Sequence, residues 1–246
     1  MSDIPESHPR YKSLVTRKHL ADLALDHVVS LEGLTSHGRG EAFDYLIGEK
    51  SPATAIEAEK IAARVLLAAR HPVLSINGNT AALAAKEIAE LQHASGAEVE
   101  VNLFHRTEER LQKVTALLES AGVLVAKGPV ERCVPLSHNR GLCRPDGIGS
   151  ADVVLVPLED GDRCEALVGM GKIVITVDLN PLDRTSKMAT VPIIDEVTRA
   201  LPVISSECRR LRSAGEPVSM PASFDGTYFL LGAIAAIEET LKHALD

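Results

Sequence analysis

The sequence predicts an α/β fold: a Rossmann-like parallel sheet with helices on both faces, preceded by an N-terminal helical segment. Short Val- and Ile-rich runs alternate with helical segments from residue 71 onward. These runs are almost uninterruptedly apolar, as is typical of parallel strands that are covered on both faces. Residues 1–70 instead carry apolar side chains at helical spacing.

The strand and helix candidates follow one another along the chain in a regular order. Strands are predicted at residues 72–77, 98–104, 122–126, 151–157, 172–178 and 190–194. The helices between them are predicted near residues 79–95, 107–121, 160–170 and 195–212. Residues 128–150 hold proline, glycine and three arginines, which predicts a long loop between the two halves of the sheet.

The two ends of the chain are predicted to be helical. Thr16 is expected to cap a helix through "HLADLALDHVVSL", and the glycine-rich "HGRG" at residues 37–40 is expected to break the helical segment. A last helix is predicted near residues 225–244. We expect one domain over residues 1–246, made of the helical segment (1–70), the Rossmann-like core (71–212) and the C-terminal helix (213–246).

The composition argues against several classes of function. A net charge of −8 does not suit nonspecific nucleic-acid binding, which needs a basic face. The N-terminal "MSDIPESHPRYK" has no apolar stretch of the kind that secretory signals contain, and the longest apolar run, Phe229–Ile237, is too short to span a membrane. The four cysteines show no C-x-x-C spacing, so we interpret them as reduced thiols of a cytoplasmic protein.

Polar residues follow four of the predicted strands. The first strand ends at Asn77-Gly78-Asn79 and the second at His105-Arg106. Ligands of open parallel sheets bind outside the carboxyl ends of the strands, so we expect one cleft lined with charged and hydrogen-bonding groups. The fourth and fifth strand ends contribute Glu159, Asp160, Asp162, Arg163, Asp178, Asn180, Asp183, Arg184 and Thr185.

Two of these strand ends predict contacts with an anion. Gly78 lets the backbone approach a ligand closely, and Asn79 or Thr80 is expected to cap a helix whose free N–H groups suit an anion. Thr107 is predicted to cap the next helix. Arg106, directly before that cap, opposes the helix dipole unless an anion lies between them.

Arg39 and His105 extend this pattern. Arg39 has a glycine on each side, which predicts a further phosphate contact, and His105 is suited to bind the same anion as Arg106 or to transfer a proton. The sequence lacks G-x-x-x-x-G-K-[ST], G-x-S-x-G and H-E-x-x-H. A P-loop enzyme and the common hydrolase motifs are therefore not predicted.

The residues alone leave three interpretations open. In an NADP-dependent oxidoreductase, Arg106 would bind the 2′-phosphate, although "NGNTAA" keeps one of the three fingerprint glycines. An enzyme that binds separate phosphorylated ligands agrees better with arginines spread over several loops. A non-enzymatic nucleotide-sensing module is the third interpretation, and the several ionisable groups expected in one cleft argue against it.

Long motifs give the chain a specific resemblance. It resembles the archaeal phosphopantothenate synthetases, also called 4-phosphopantoate–β-alanine ligases, from about Ile4 to the last helix. The segments that carry the resemblance are "IPESHPRYKSLVTR", "LTSHGRGEAFDYLIGEK", "SINGNTAAL", "EVNLFHRTEER", "ADVVLVPLEDGDR" and "VDLNPLDRTSKMATVPIID".

This resemblance implies a cytoplasmic homodimer that acts in archaeal coenzyme A synthesis. The implied reaction joins 4-phosphopantoate to β-alanine with ATP and gives 4′-phosphopantothenate, AMP and pyrophosphate. The resemblance also implies that ATP is bound by Arg17, Arg39, Asp178, Leu179, Asn180, Arg184, Thr185, Glu196 and Val197.

An acyl-adenylate route gives roles to further polar residues. Mg²⁺ is expected to bind through water to Asp160 or Asp162, because this ion prefers phosphates with one or two carboxylates. The residues expected to bind phosphopantoate are Asn77, Gly78, Asn79, His105 and Arg106. The candidates for the general base that accepts the proton of the amine, among which the sequence gives no preference, are His37, His105 and Glu159.

Overall fold

The computed structural model describes residues 4–215 and 217–244, and it confirms the predicted α/β class. The strands of the described chain are β1 (Pro72–Ile76), β2 (Glu98–Val101), β3 (Glu131–Arg132), β4 (Leu142–Cys143), β5 (Val153–Pro157), β6 (Ile173–Asp178) and β7 (Val191–Ile194). Its α-helices are α1 (Tyr11–Leu25), α2 (Leu31–Ile47), α3 (Ala53–Ala68), α4 (Gly78–Ser95), α5 (Glu108–Ser120), α6 (Gly161–Gly169), α7 (Arg184–Met188), α8 (Val197–Ala214) and α9 (Gly226–Lys242).

The main sheet has five parallel strands in the order β2-β1-β5-β6-β7. From β1 the chain moves to β2 at one edge, and from β5 it moves through β6 to β7 at the other edge. The direction of winding therefore reverses between β1 and β5. At such a reversal the connections that leave the two central strands diverge, and a crevice opens at their carboxyl ends.

Both faces of the sheet are covered by apolar side chains, as the uninterrupted apolar runs predict. Successive residues of a strand point to opposite faces. In β5, Val153 and Leu155 pack into the core formed with α3, α4 and α8, whereas Val154 and Val156 pack against α6 and residues 133–151. Among the described residues, no helix combines the length and hydropathy needed to cross a bilayer.

The N-terminal segment differs from the prediction at two places. Thr16 lies inside α1 and caps nothing, and the predicted first helix is divided after Leu25, where His27 adopts a left-handed conformation with φ of 62°. The "HGRG" segment is not a break but lies within α2. Glycine inside a helix costs about 1 kcal/mol, and here α2 is supported at both its ends: Ser30 caps its first turn, and Gly48 adopts a left-handed φ of 95° directly after its end.

The predicted strand at residues 122–126 is wrong. Val125 forms one isolated parallel bridge with Val99, and no further ladder follows. The reason lies in α4, where the Gln92 side chain bonds both main-chain groups of Leu124 at 2.8 Å and so takes the place of a neighbouring strand. The predicted loop at residues 128–150 is confirmed as the connection to β5, and it contains the short antiparallel pair β3–β4. The single domain over residues 1–246 stays a prediction.

The helices of the core begin close to their predicted positions. Thr107 caps α5 as predicted, since its hydroxyl accepts from the Arg110 N–H at 3.2 Å. The cap of α4 is Asn77 rather than Asn79 or Thr80: its Oδ1 accepts from the Thr80 N–H at 2.9 Å. The Asn77 side chain thus joins the end of β1 to the first turn of α4.

Replacing Asn77 should destabilise the fold more than the loss of an ordinary helix cap. Its Nδ2 also donates to the carbonyl oxygens of Pro157 and Leu158, at 3.1 and 2.9 Å, and so ties β1 to the end of β5. For Asn77→Ala we expect a loss of about 2–4 kcal/mol in the free energy of unfolding, of which about 1 is the cap and the rest the lost hydrogen bonds to Pro157, which keeps the Thr80 hydroxyl as a donor, and to Leu158. Chemical denaturation measures this loss.

The matched control is Thr107→Ala, which removes the cap of α5 alone. It should cost about 1 kcal/mol. Equal losses for the two variants would show that the bonds from Asn77 to the end of β5 contribute nothing to stability.

Candidate functional site

A cleft of about 830 Å³ lies at the carboxyl edge of the sheet, where the direction of winding reverses. The segments after all five parallel strands line it, and α1 and α2 supply further wall. Asn77–Asn79 follow β1, Leu103–His105 follow β2, Leu158–Asp160 follow β5, Asp178–Asn180 end β6, and Asp195–Arg199 follow β7. The expectation of one cleft at the strand ends is therefore met.

Most of the predicted site residues line this cleft. They are His37, Arg39, Asn77, Gly78, Asn79, His105, Glu159, Asp160, Asp178, Leu179, Asn180, Glu196 and Val197. The predicted residues that do not line it are Arg17, Arg106, Asp162, Arg184 and Thr185.

One end of the cleft lies after β6 and β7. Here Arg39 of α2 is exposed and, within the described part of the chain, makes no ion pair. Burial raises the pKa of Asp178 to about 7, the nearby charge of Asp183 adds to the shift, and Arg39 opposes it. The Oδ1 atom of Asp178 accepts from the Asn180 N–H at 3.0 Å. This end offers a free guanidinium beside a carboxyl group, both directed toward the same space.

The other end lies after β1 and β2, at the N-terminus of α4. Gly78 is needed there because a Cβ atom would lie 2.2 Å from the carbonyl oxygen of Val28. The sequence predicts a close approach of the Gly78 backbone to a ligand, but the group close to Gly78 is the Val28 carbonyl of the same chain. Arg106 does not line this end. Its place is taken by Arg110, one helical turn further along, and by Arg140 from the 128–150 loop.

Glu159 is the centre of a buried ionic cluster at the end of β5. Its two carboxylate oxygens accept from Arg140 and from Arg163, and all three side chains are almost completely excluded from water. Burial alone would raise the pKa of Glu159, but Arg140 and Arg163 outweigh it and hold the pKa at about 2. A carboxylate this acidic is a weak base, so the geometry argues against Glu159 as the general base.

The two histidine candidates differ in their surroundings. His37 lies half-buried on α2 and faces the cleft, and burial lowers its pKa below the ordinary 6.5, although Glu41 and Glu196 oppose the shift. Its imidazole is therefore neutral at neutral pH and able to accept a proton. His105 is exposed at the mouth of the cleft, where its Nε2 lies 3.5 Å from a carboxylate oxygen of Glu32.

Three predicted ATP ligands do not line the cleft. Arg17 donates from Nε to Glu41 at 2.8 Å, and Arg184 is ion-paired with Glu165 of α6. Thr185 is buried, and its hydroxyl donates to the carbonyl oxygen of Glu159 at 2.8 Å. In this structure Arg17 and Thr185 bond to groups that line the cleft, whereas Arg184 pairs with Glu165, which does not line it.

The predicted pair of magnesium ligands is divided. Asp160 lines the cleft, whereas Asp162 bonds to the Nε2 atom of His138 at 3.0 Å and lies outside it. The described residues contain no group of three or more His, Cys, Asp or Glu side chains that could hold a metal ion by themselves. Any Mg²⁺ would therefore take most of its ligands from phosphates and water, with Asp160 as the protein carboxylate.

Several lining residues were not predicted. Arg199 bonds both Asp195 at 2.9 Å and Asp44 at 3.1 Å, and so joins α8 to α2 across the cleft wall. The signal for Arg140 was the group of three arginines in residues 128–150, and the signal for Arg110 was its position four residues after Arg106. Neither pattern distinguishes an arginine that faces the cleft from one that faces solvent.

The fold and the cleft together define a class of protein. A parallel α/β sheet that gathers arginines, carboxyl groups and a helix N-terminus at its winding reversal is typical of enzymes acting on nucleotides and other phosphorylated ligands. Arg106, which the oxidoreductase interpretation needs for a 2′-phosphate, does not line the cleft.

Comparison with known sequences identifies the family. The model of the phosphopantothenate/pantothenate synthetase family matches residues 54–240, and the chain belongs to this family. It is 60% identical over 243 residues to the 4-phosphopantoate–β-alanine ligase of Methanospirillum hungatei, covering 99% of this chain and 100% of that protein.

Two further ligases of the same name are similar over nearly their whole length. The protein of Methanosarcina mazei is 48% identical over 246 residues, covering 98% of this chain and 97% of the relative. The protein of Thermococcus kodakarensis is 44% identical over 251 residues, covering 100% and 96%. The resemblance noted in the sequence is thus confirmed.

The ionic cluster should make stability depend on pH. The folded pKa of Glu159, about 2, lies below the ordinary 4.5, so the charged carboxylate stabilises the fold above pH 4.5 and this contribution is lost as the pH falls toward 2. Glu159→Gln leaves Arg163 without a counter-charge and Arg140 with Asp160 at 3.9 Å alone, and it should cost about 3–5 kcal/mol at neutral pH. Denaturation curves at several pH values should show the difference from the wild type shrinking below pH 4.5.

Glu165→Gln is the control for this substitution, because it removes the exposed partner of Arg184. We expect a loss of less than about 1 kcal/mol for it. A Glu159→Gln variant that is as stable as this control would contradict the role of Glu159 as the counter-charge of two buried arginines.

Proposed function

We propose that the protein is an ATP-dependent ligase that condenses 4-phosphopantoate with β-alanine and gives 4′-phosphopantothenate, AMP and pyrophosphate in coenzyme A biosynthesis. The observation that carries the proposal is a cleft with anion-binding groups at two separate ends, on either side of the winding reversal. A ligase of this kind needs two such ends because both ATP and its acid substrate are phosphorylated. The full-length similarity to proteins named 4-phosphopantoate–β-alanine ligases supports the same assignment.

The proposed chemistry has two steps. The carboxylate of 4-phosphopantoate attacks the α-phosphorus of ATP, the bond to the β-phosphate breaks, and pyrophosphate leaves with that electron pair. The neutral amine of β-alanine then attacks the acyl carbon of the adenylate, the amide forms, and AMP leaves. The amine loses a proton in this second step, so a base is needed near the acyl group.

ATP is assigned to the end of the cleft after β6 and β7. Arg39, which makes no ion pair with the residues that the structure describes, supplies a guanidinium for phosphate oxygens, and charge that develops at phosphorus is stabilised by such preorganised donors. Asp178 is placed at a strand end to accept from ribose hydroxyls, with Leu179, Asn180, Glu196 and Val197 forming the adjoining wall. Mg²⁺ on the phosphates would be held on the protein side by Asp160, and it would neutralise phosphate charge.

The acid substrate is assigned to the end of the cleft after β1 and β2, where Asn77–Asn79 and His105 line the wall. The two carboxyl ends are adjacent because β1 and β2 are hydrogen-bonded neighbours. The base is assigned to His37, since Glu159 is held as an anion of low pKa and His105 is exposed at the mouth. A cytoplasmic homodimer, as the resemblance implies, completes the proposal.

Product analysis tests the function directly. Purified protein with Mg-ATP, 4-phosphopantoate and β-alanine should form AMP, pyrophosphate and 4′-phosphopantothenate in equal amounts, measured by chromatography. A parallel sample with unphosphorylated pantoate should form little product. Turnover of pantoate in preference to 4-phosphopantoate would overturn the substrate assignment, and formation of ADP instead of AMP would overturn the adenylate route.

In the same assay, substitutions of Arg39 and Arg184 compare a predicted ATP ligand that lines the cleft with one that does not. Both arginines are implied by the resemblance, but Arg39 lines the cleft and Arg184 does not. Arg39→Gln should raise the KM for ATP about 10-fold or more, whereas Arg184→Gln should change it much less. The reverse order of effects would contradict the placement of ATP in this cleft.

His37 should be needed for the second step and not for the first. His37→Gln should lower the rate of amide formation about 100-fold or more, while the exchange of labelled pyrophosphate into ATP, which reports adenylate formation, stays near the wild-type rate. His105→Gln should affect neither rate to this extent, since His105 lies at the mouth of the cleft. Equal loss of both rates in His37→Gln would assign His37 to substrate binding instead.

A further inference from the structure

We propose that Arg110 and Arg140, together with the N-terminus of α4, form a subsite for a phosphate monoester and thereby select phosphorylated over unphosphorylated acid substrates. The identity of the acid, 4-phosphopantoate, rests on the proposed function. The phosphate subsite itself is argued from the arrangement of donors in the cleft.

The first part of the subsite is a helix N-terminus. The helix α4 has 18 residues, and its first N–H groups have no acceptor within the helix. The side chain of the capping Asn77 accepts from Thr80, which leaves the N–H groups of Gly78 and Asn79, both of which line the cleft. These groups carry the positive end of the helix dipole and favour an anion.

The second part is a buried donor without an acceptor. Arg140 is only 3% exposed and lines the cleft. Its terminal nitrogens donate to the main-chain oxygen of Asn102 at 2.6 Å and to Glu159, but its Nε finds no hydrogen-bond partner among the described residues. The closest ion-pair contact of Nε, with Asp160, is 3.9 Å long. A buried donor left unsatisfied destabilises the free protein, and a bound anion would satisfy it.

Arg110 is positioned in a different way. Its guanidinium donates to the carbonyl oxygen of Val28 from two nitrogens, at 3.2 and 3.4 Å, and to that of His105 at 3.2 Å. A guanidinium has five N–H donors, so two remain for a ligand. Among the described residues no carboxylate forms an ion pair with Arg110. Burial lowers the pKa of Arg110, the charge of Glu32 opposes this shift, and the like charge of Arg140 adds to it.

The charged groups around the subsite favour the binding of a phosphate group. Glu159 is the buried counter-charge of Arg140 and Arg163, and Asp160 lies 3.9 Å from Arg140. Glu32, which lines the cleft and is mostly exposed, acts on Arg110 through its charge. Burial and the neighbouring Glu159 raise the pKa of Asp160, which makes its negative charge less favourable. The donors of Arg110 and Arg140 that the described residues leave unused lie where β1 and β2 end, and a phosphate group accepts charge-assisted hydrogen bonds from such donors.

The experiment compares three substitutions in one segment. Arg110→Gln should raise the Kd for 4-phosphopantoate, measured by titration calorimetry in the absence of ATP, about 10- to 100-fold, with little change in the Kd for ATP. It should also lower the preference for 4-phosphopantoate over pantoate in kcat/KM by a similar factor. Lys113→Gln, which removes a positive charge from the exposed face of α5, is the control and should change none of these values. Arg106→Gln tests the arginine that the sequence alone favours.

The outcomes separate the subsite from the proposed function. A larger effect of Arg106→Gln than of Arg110→Gln, or equal loss of ATP and 4-phosphopantoate binding in Arg110→Gln, would overturn the subsite. If the wild type binds 4-phosphopantoate but forms no AMP, and Arg110→Gln loses this binding, the subsite holds and the ligase assignment fails. Arg110→Lys keeps the positive charge but has fewer N–H donors. If its melting temperature shows that it is folded and its affinity for 4-phosphopantoate is intermediate, general unfolding is excluded as the cause of the weaker binding.

Discussion

The fold around the cleft depends on the buried contact of Glu159 with Arg140 and Arg163. Three separate parts of the chain meet there: the end of β5, the 128–150 loop and α6. Arg163 also donates to the hydroxyl of Ser75 in β1 at 3.1 Å, which adds the neighbouring strand. Burying charges costs free energy unless their geometry and hydrogen bonding are nearly complete. The cluster therefore permits one arrangement of these segments, and it is this arrangement that brings Arg140 to the cleft.

The position of the cleft follows from the strand order, and its chemistry follows from what each strand end carries. Winding outward from β1 and from β5 leaves two sets of strand ends on opposite sides of the reversal. One set ends in a helix N-terminus and arginines, and the other in Asp178 with Arg39 from α2. The proposed reaction has two phosphorylated substrates, and the two sets of strand ends provide one side of the cleft for each, with the reacting groups expected where the two sides meet.

The sequence predicts the parallel sheet and the cleft well because both are set by local patterns. Apolar runs mark buried strands, and polar residues directly after them share one edge of the sheet. Segments that depend on distant side chains are predicted poorly. Residues 122–126 look like a strand, but Gln92 of α4 takes the hydrogen bonds of Leu124. "HGRG" looks like a break, but it continues a helix capped seven residues earlier by Ser30.

The same dependence on distant side chains explains why the sequence alone does not show which arginines face the cleft. Arg106 and Arg110 carry the same side chain, and the sequence favours Arg106 because it lies nearer to the end of β2. The turn of α5 and the contact with the Val28 carbonyl bring Arg110 to the cleft instead. Arg140 is placed by an ion pair with Glu159, 19 residues further along the chain. Composition points to the arginine-rich loop, but the partner that orients each side chain is visible only once the fold brings it near.

The helix α1 buries little apolar surface, and this affects the free energy of ligand binding in the cleft. Within α1, whose 15 residues are all described, Leu20 is the one buried side chain, although the helix lines the cleft with Lys12, Thr16 and His19. A helix held by so little apolar surface opens at a small free-energy cost compared with the whole fold. Any molecule that fills the cleft and contacts both α1 and the strand ends must also hold α1 in place. Occupancy of the cleft and protection of the α1 amides from hydrogen exchange are thermodynamically linked.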